Sequence, residues 1–117
     1  MKIILLGNPR STGYMYFHHG HKAFIKKDYK DLKDSYSAQA MMQWKDKPSN
    51  DLLEIDIKIF FGDKRKRDWD NFHKLSMDAL TGIIWEDDSQ IKKATVELFY
   101  DKESPRIELE INSYKKI

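Results

Sequence analysis

The sequence predicts an α+β fold: a small mixed β-sheet covered by two helices, in the order β, β-hairpin, α, β, α, β, β. Three observations carry that prediction. In EIDIKIFF, Ile55, Ile57, Ile59 and Phe61 alternate with Glu54, Asp56 and Lys58, which is the period of a half-buried strand. The same alternation returns near the end of the chain, where Ile107, Leu109 and Ile111 are interleaved with Arg106, Glu108 and Glu110. Between Asp28 and Trp44 the period changes, and Tyr29, Leu32, Tyr36 and Ala40 recur every three or four residues, as on one face of a helix.

Each element follows in turn. MKIILLGNPR opens with an apolar run that suits a buried first strand and is too short for a signal peptide or a membrane span. GNPRSTG is a loop, and YMYF and AFI are two short strands around the Gly-containing turn HHGHK. The helix from Asp28 to Trp44 gives way at Pro48-Ser49-Asn50, and Gly62-Asp63 closes the strand that follows. A second helix is expected to begin at Asp70 or Asn71 and to stop at Gly82, a residue suited to the left-handed turn past a helix end. Phe72, Leu75, Ala79 and Leu80 form its buried stripe, while Asn71, Lys74 and Asp78 share another face. After WEDDSQ come two strands, about Ile91 to Tyr100 and Arg106 to Ile111, with DKESP as their turn. A chain of 117 residues is one domain's worth, spanning 1–117.

Composition narrows the chemistry. The chain has no cysteine, which excludes thiol nucleophiles and Cys-based zinc sites and suits a reducing cytoplasm. The net charge of +2 conceals an asymmetry: residues 1–50 hold nine Lys/Arg against four Asp/Glu, and residues 51–117 hold twelve against fifteen. A basic part beside a cluster of carboxylates suits a polyanion held against a metal, although scattered surface charge gives the same totals.

The densest charge pattern is KRKRDWDNFHK, residues 64–74. Taken alone, Asp70 reads as a helix cap, a role closed to Asp68, which lies too far outside the helix. Asp87 and Asp88 taken alone read as a solvated turn. Together, two carboxylates at a strand-to-helix junction and a second pair on the loop leaving that helix offer the oxygen ligands that Mg²⁺ requires. Lys64, Arg65, Lys66 and Arg67 then suit a DNA phosphate backbone, and Lys74 suits negative charge building on phosphate oxygens. For Lys74 an i,i+4 ion pair with Asp70 or Asp78 fits the spacing equally well.

Other motifs fit worse. An EF-hand loop starting at Asp68 would need an oxygen ligand where Phe72 stands. An aspartyl nucleophile of the phosphatase type needs a larger α/β domain. Neither a P-loop nor a GxGxxG sequence occurs, so no nucleotide cofactor is expected. His18, His19 and His21 lack a supporting ligand at zinc spacing and read as turn residues or phosphate contacts. Strand alternation sends Trp69 opposite to Asp68 and Asp70, so it is expected to pack under the site rather than to stack on a base. Tyr14, Tyr16 and Phe17 face the same choice between a core hairpin and a DNA platform, and most of them are expected in the core or a dimer interface.

RKRDWDNFHKLSMDALTGIIWEDDSQI, in which a basic run leads into RDxDNxxK, a D-A-L step and a W-x-D-D-x-Q turn, resembles the signature of the RusA-type Holliday-junction resolvases. These are endonucleases common in phages and prophages. The similarity is strongest over residues 54–111. It implies a magnesium-dependent homodimer that acts on four-way junction DNA and cuts two strands symmetrically, with Mn²⁺ able to substitute. Carried over by position, Asp68, Asp70 and Asp88 match the metal-binding carboxylates, Asp87 is adjacent and supportive, and Lys74 matches the catalytic lysine. In NPRSTGY the chain departs from the family, which often carries an Asn soon after the Pro, where Thr12 and Gly13 stand here. With a metal ion to activate water, no protein nucleophile is needed, and a two-fold symmetric substrate suits a C2 dimer. Two other readings remain: a non-catalytic binder of branched DNA, and a nuclease for flaps, forks or RNA-containing branches.

Overall fold

The computed structural model describes residues 1–115. Six strands and two helices follow one another as β1 (Lys2–Leu6), β2 (Tyr16–His19), β3 (Lys22–Ile25), α1 (Lys27–Gln43), β4 (Leu53–Phe61), α2 (Lys74–Leu80), β5 (Ile91–Tyr100) and β6 (Arg106–Ser113). The expected order is borne out, as is the α+β class. The main sheet runs β1-β6-β4-β5, and β2 and β3 form a separate two-stranded sheet. β4 pairs antiparallel with β6 and parallel with β5, which makes the sheet mixed. A parallel pair needs a crossover, and α2 lies within the β4–β5 connection.

Register turns the alternation read from sequence into rows. Ile3, Leu109, Ile57 and Val96 stand side by side across the four strands, and Leu5, Ile107, Ile59 and Leu98 make the next row. The β1, β6 and β4 members are buried under Tyr29, Tyr36 and Ala40 of α1 and Leu75, Ala79 and Leu80 of α2. On the outer strand the cover gives out: Val96 and Leu98 are half-buried and Ala94 is exposed, so an apolar strip lies open beside α2. The opposite face of the sheet carries charges instead, with Lys2 paired to Glu108 at 2.9 Å and Arg106 to Asp101 at 2.8 Å.

The two edges of the sheet differ. On β1, the side-chain amides of Gln39 and Gln43, one turn apart on α1, take up the outward backbone groups. Gln39 accepts from the Leu6 N–H at 2.7 Å and donates to the Leu6 carbonyl at 3.0 Å. Gln43 does the same for Ile4 at 2.9 and 2.7 Å. Among the described residues, β5 has β4 on one side and no strand on the other.

Two boundaries depart from the sequence reading. DKESP is no hairpin turn, because β6 lies beyond β4 and the segment crosses the end of β4, where the Asp101 N–H donates to the Phe61 carbonyl at 2.8 Å. The second helix starts at Lys74, not at Asp70 or Asn71: Trp69–Asn71 closes a 3-10 turn instead. Phe72 then packs edge-on against Phe61 with ring centroids 5.0 Å apart, and α2 begins only after that contact. Gly82 does follow the helix with φ +89°, as its position predicts. Among the described residues no helix is long and apolar enough to cross a membrane.

Candidate active site

The open strip beside α2 forms the floor of a groove of about 460 Å³, lined by Ile57, Met77, Ile91, Ala94 and Val96 below and by Trp69, His73, Lys74, Asp78 and Asp88 around it. Two of the sequence candidates, Lys74 and Asp88, therefore meet at one place. Trp69, the residue between Asp68 and Asp70, lines the same groove, while those two carboxylates are not among its lining residues.

Asp88 is held from behind. Its Oδ1 accepts from the Thr81 hydroxyl at 2.7 Å and from the Nε1–H of fully buried Trp85 at 3.2 Å. Trp85 Nε1 lies 3.0 Å from Thr81 Oγ1 as well, so the three groups form a closed triangle. Asp87, adjacent and supportive of the metal ligands in the sequence reading, is tied down at one oxygen. Its Oδ2 accepts from the Ser89 N–H at 3.1 Å and caps the 3-10 turn Asp88–Gln90. Hydrogen bonds from Ser89, side chain first and then backbone, hold the Asp87 carboxyl below the usual range. Gln90 completes the cap. Its Oε1 accepts from the Glu86 and Asp87 N–H groups at 2.9 and 2.8 Å, and its Nε2 donates to the Ser49 and Asp51 carbonyls at 2.8 and 2.9 Å. The W-x-D-D-x-Q pattern is thus a frame in which Trp85, Asp87 and Gln90 hold the loop and Asp88 presents an oxygen.

The other segment is less constrained. Asp68 stands at the start of its 3-10 turn without capping it, and Asp70 lies inside that turn, so the helix-cap reading of Asp70 does not apply. Both are exposed. Lys74 opens α2, is exposed, and belongs to none of the ion pairs among the described residues, so the i,i+4 alternative is not realised. Trp69 is 60% exposed and stacks on His73 with centroids 6.5 Å apart, contrary to the expectation that it packs beneath the site. Strand alternation does not govern a 3-10 turn, in which successive side chains are about 120° apart.

Sequence reasoning overlooked His73 and the Thr81–Trp85 support of Asp88. Burial first, and then the charge of Lys74, hold the His73 imidazole below its ordinary value, with Asp70 pulling the other way. Its buried Nδ1 has no partner among the described residues. The position of His73 just before Lys74 was the one available signal.

The basic run divides. Arg67 is tied to Asp63 at 2.6 Å and lies 4.0 Å over the Phe61 ring, so it braces the end of β4. Lys64, Arg65 and Lys66 are exposed, with Lys64 4.9 Å over Tyr100.

The family model for endodeoxyribonuclease RusA matches residues 7–112, nearly the whole chain. The chain belongs to the RusA endodeoxyribonuclease family. No curated protein sequence matches it. As a RusA endonuclease, it keeps the motif residues around the groove just described. The oxygen-only character of Asp68, Asp70 and Asp88 fits a hard cation in kind. Among the described residues, however, no three Asp, Glu or His side chains are gathered closely enough to hold one metal ion.

Proposed function

We propose that this endonuclease is a Mg²⁺-dependent homodimer that resolves four-way DNA junctions by paired, symmetric cuts, with Mn²⁺ able to replace Mg²⁺. The observation that carries the reading is the meeting of Lys74 and Asp88 in one groove that Trp69, the residue between Asp68 and Asp70, also lines. Asp88, oriented by Thr81 and Trp85, would hold the ion together with Asp68 and Asp70. When bound, the ion supplies neutralisation of phosphate charge and acidification of water. Lys74, which has no carboxylate partner among the described residues, is a cation available to negative charge that builds on the phosphate during cleavage. Lys64, Arg65 and Lys66 hold neighbouring phosphates.

Incubating the protein with a four-way junction and with linear duplex of the same sequence, with and without Mg²⁺, tests the proposal. Paired, metal-dependent cuts confined to the junction are expected. The dispersed carboxylates favour one rival, a binder of branched DNA without catalysis. Asp70→Asn separates the two: a nuclease loses cutting while binding is kept or improved, since a negative charge near phosphate is removed. A binder is unchanged in every respect.

A further inference from the structure

The β2–β3 hairpin is the part of the molecule that the active site does not explain. Its two-residue loop, Gly20-His21, has the positive φ (+64°) that glycine supplies. Ile25 packs against the core and Met15, just before β2, is buried, which anchors one face. The other face is turned outward. Phe17 and Phe24 stand directly opposite one another and stack with centroids 5.4 Å apart, yet remain 48% and 42% exposed. Tyr14 and Tyr16 are exposed too. For Tyr14, Tyr16 and Phe17 the sequence leaves a choice between core hairpin and DNA platform, with core or dimer interface favoured for most, and their exposure overturns the core reading. A cross-strand aromatic pair helps to hold a hairpin together, but it does not account for Tyr14 and Tyr16.

Charge decides what such a face meets. Lys2 and Arg10 are neutralised by Glu108 and Asp28, but Lys22, Lys26 and Lys27 belong to none of the ion pairs among the described residues, and the hairpin adds three histidines and no Asp or Glu. Two copies of this arm packed across a two-fold axis would set like charges together; a polyanion complements it. The arm is also rooted beside the groove. The Thr12 hydroxyl donates to the Asn71 carbonyl at 3.3 Å, in the turn that carries Asp70, and the Tyr29 hydroxyl donates to the Ser11 carbonyl at 2.8 Å.

We propose that the hairpin is a branch-reading arm: Phe17 and Phe24 stack on nucleobases left without a neighbour where DNA strands part, while Lys22, Lys26 and Lys27 hold the flanking phosphates. A four-residue strand reaches about 13 Å, the depth of about four stacked base pairs. Intact duplex hides its base faces, so stacking of this kind favours branched DNA over linear DNA. The proposal rests on the junction-nuclease reading and names the element that would select the substrate.

The test places 2-aminopurine beside the branch point of a four-way junction and titrates the protein without divalent metal. Wild type is expected to raise the fluorescence by drawing the probe at the branch off its remaining neighbouring base and onto a Phe ring, and to leave the probe unchanged in linear duplex. Phe17→Leu/Phe24→Leu keeps an apolar cross-strand contact. It is expected to abolish the rise and to lower the preference for junction over duplex at least tenfold, the effect of losing one stacked base. Phe17→Tyr/Phe24→Tyr, which keeps both rings, is expected to behave as wild type. A Leu double variant that retains the rise overturns the proposal, as does a Tyr double variant that loses it. So does a Leu double variant that changes the sedimenting mass of the protein, because the arm would then clasp a second copy. Adding Mg²⁺ keeps the two readings apart. A rise without cutting sinks the nuclease and leaves the arm; cutting with an unaltered Leu variant sinks the arm alone.

Discussion

Replacing Gln90 by Leu is the sharpest test of how the loop bearing Asp88 is held. The side chain is 9% exposed and makes four hydrogen bonds, all to backbone groups, which join residues 86–87 to residues 49–51. Leucine is close to glutamine in size, so the packing is preserved and only the polar contacts vanish. A typical hydrogen bond contributes about 1 kcal/mol net. Because the site is partly open, water recovers some of the four, and the loss should be about 3 kcal/mol. A 117-residue chain has an unfolding entropy of about 0.25 kcal/mol per kelvin, so the melting temperature should fall by about 12 °C. Thermal unfolding followed by circular dichroism measures this directly. Junction cleavage at 25 °C should fall further than the folded fraction does, since Asp88 loses its frame. A drop below about 3 °C, with cleavage unchanged, would refute the claim that Gln90 positions the loop.

Other perturbations probe separate parts of the molecule. Tyr36→Phe should raise stability by about 1 kcal/mol in urea denaturation, because the Tyr36 hydroxyl is buried with no partner among the described residues and burial pushes its pKa up. His73 titrates below its ordinary value of 6.5 in the folded protein, so its contribution to stability is present above that pH and is lost as the pH falls through the depressed folded value. His73→Phe keeps a ring against Trp69 and should flatten the fall in stability seen in melts as the pH drops below 6.5. Gly82→Ala meets no atom within 4 Å, so its cost should be purely that of a positive φ, about 1 kcal/mol by chemical denaturation.

Much of this architecture can be read from periodicity. Ile55, Ile57 and Ile59 alternate because one face of β4 is buried, and α1 spans Lys27–Gln43 where the three-and-four spacing places it. Alternation is silent about which strands are neighbours, which is why DKESP reads as a turn when it crosses the end of β4. Local signals also misplaced the start of α2, since the contact between Phe72 and Phe61 is made across the fold and leaves no mark in the capping pattern. The motif residues Trp85, Asp87 and Gln90 were visible as a pattern, but their division of labour was not: the same carboxylate chemistry serves a cap at Asp87 and an oriented oxygen at Asp88. Trp69 was assigned by a strand's geometry in a segment that coils.

The glutamine amides along β1 have a consequence for growth of the sheet. With the outward groups of Ile4 and Leu6 already satisfied, an incoming strand finds no ladder to join on that side. β5 has no such seal. Lengthening of this sheet by another chain can therefore proceed in one direction only, along the strand that floors the groove.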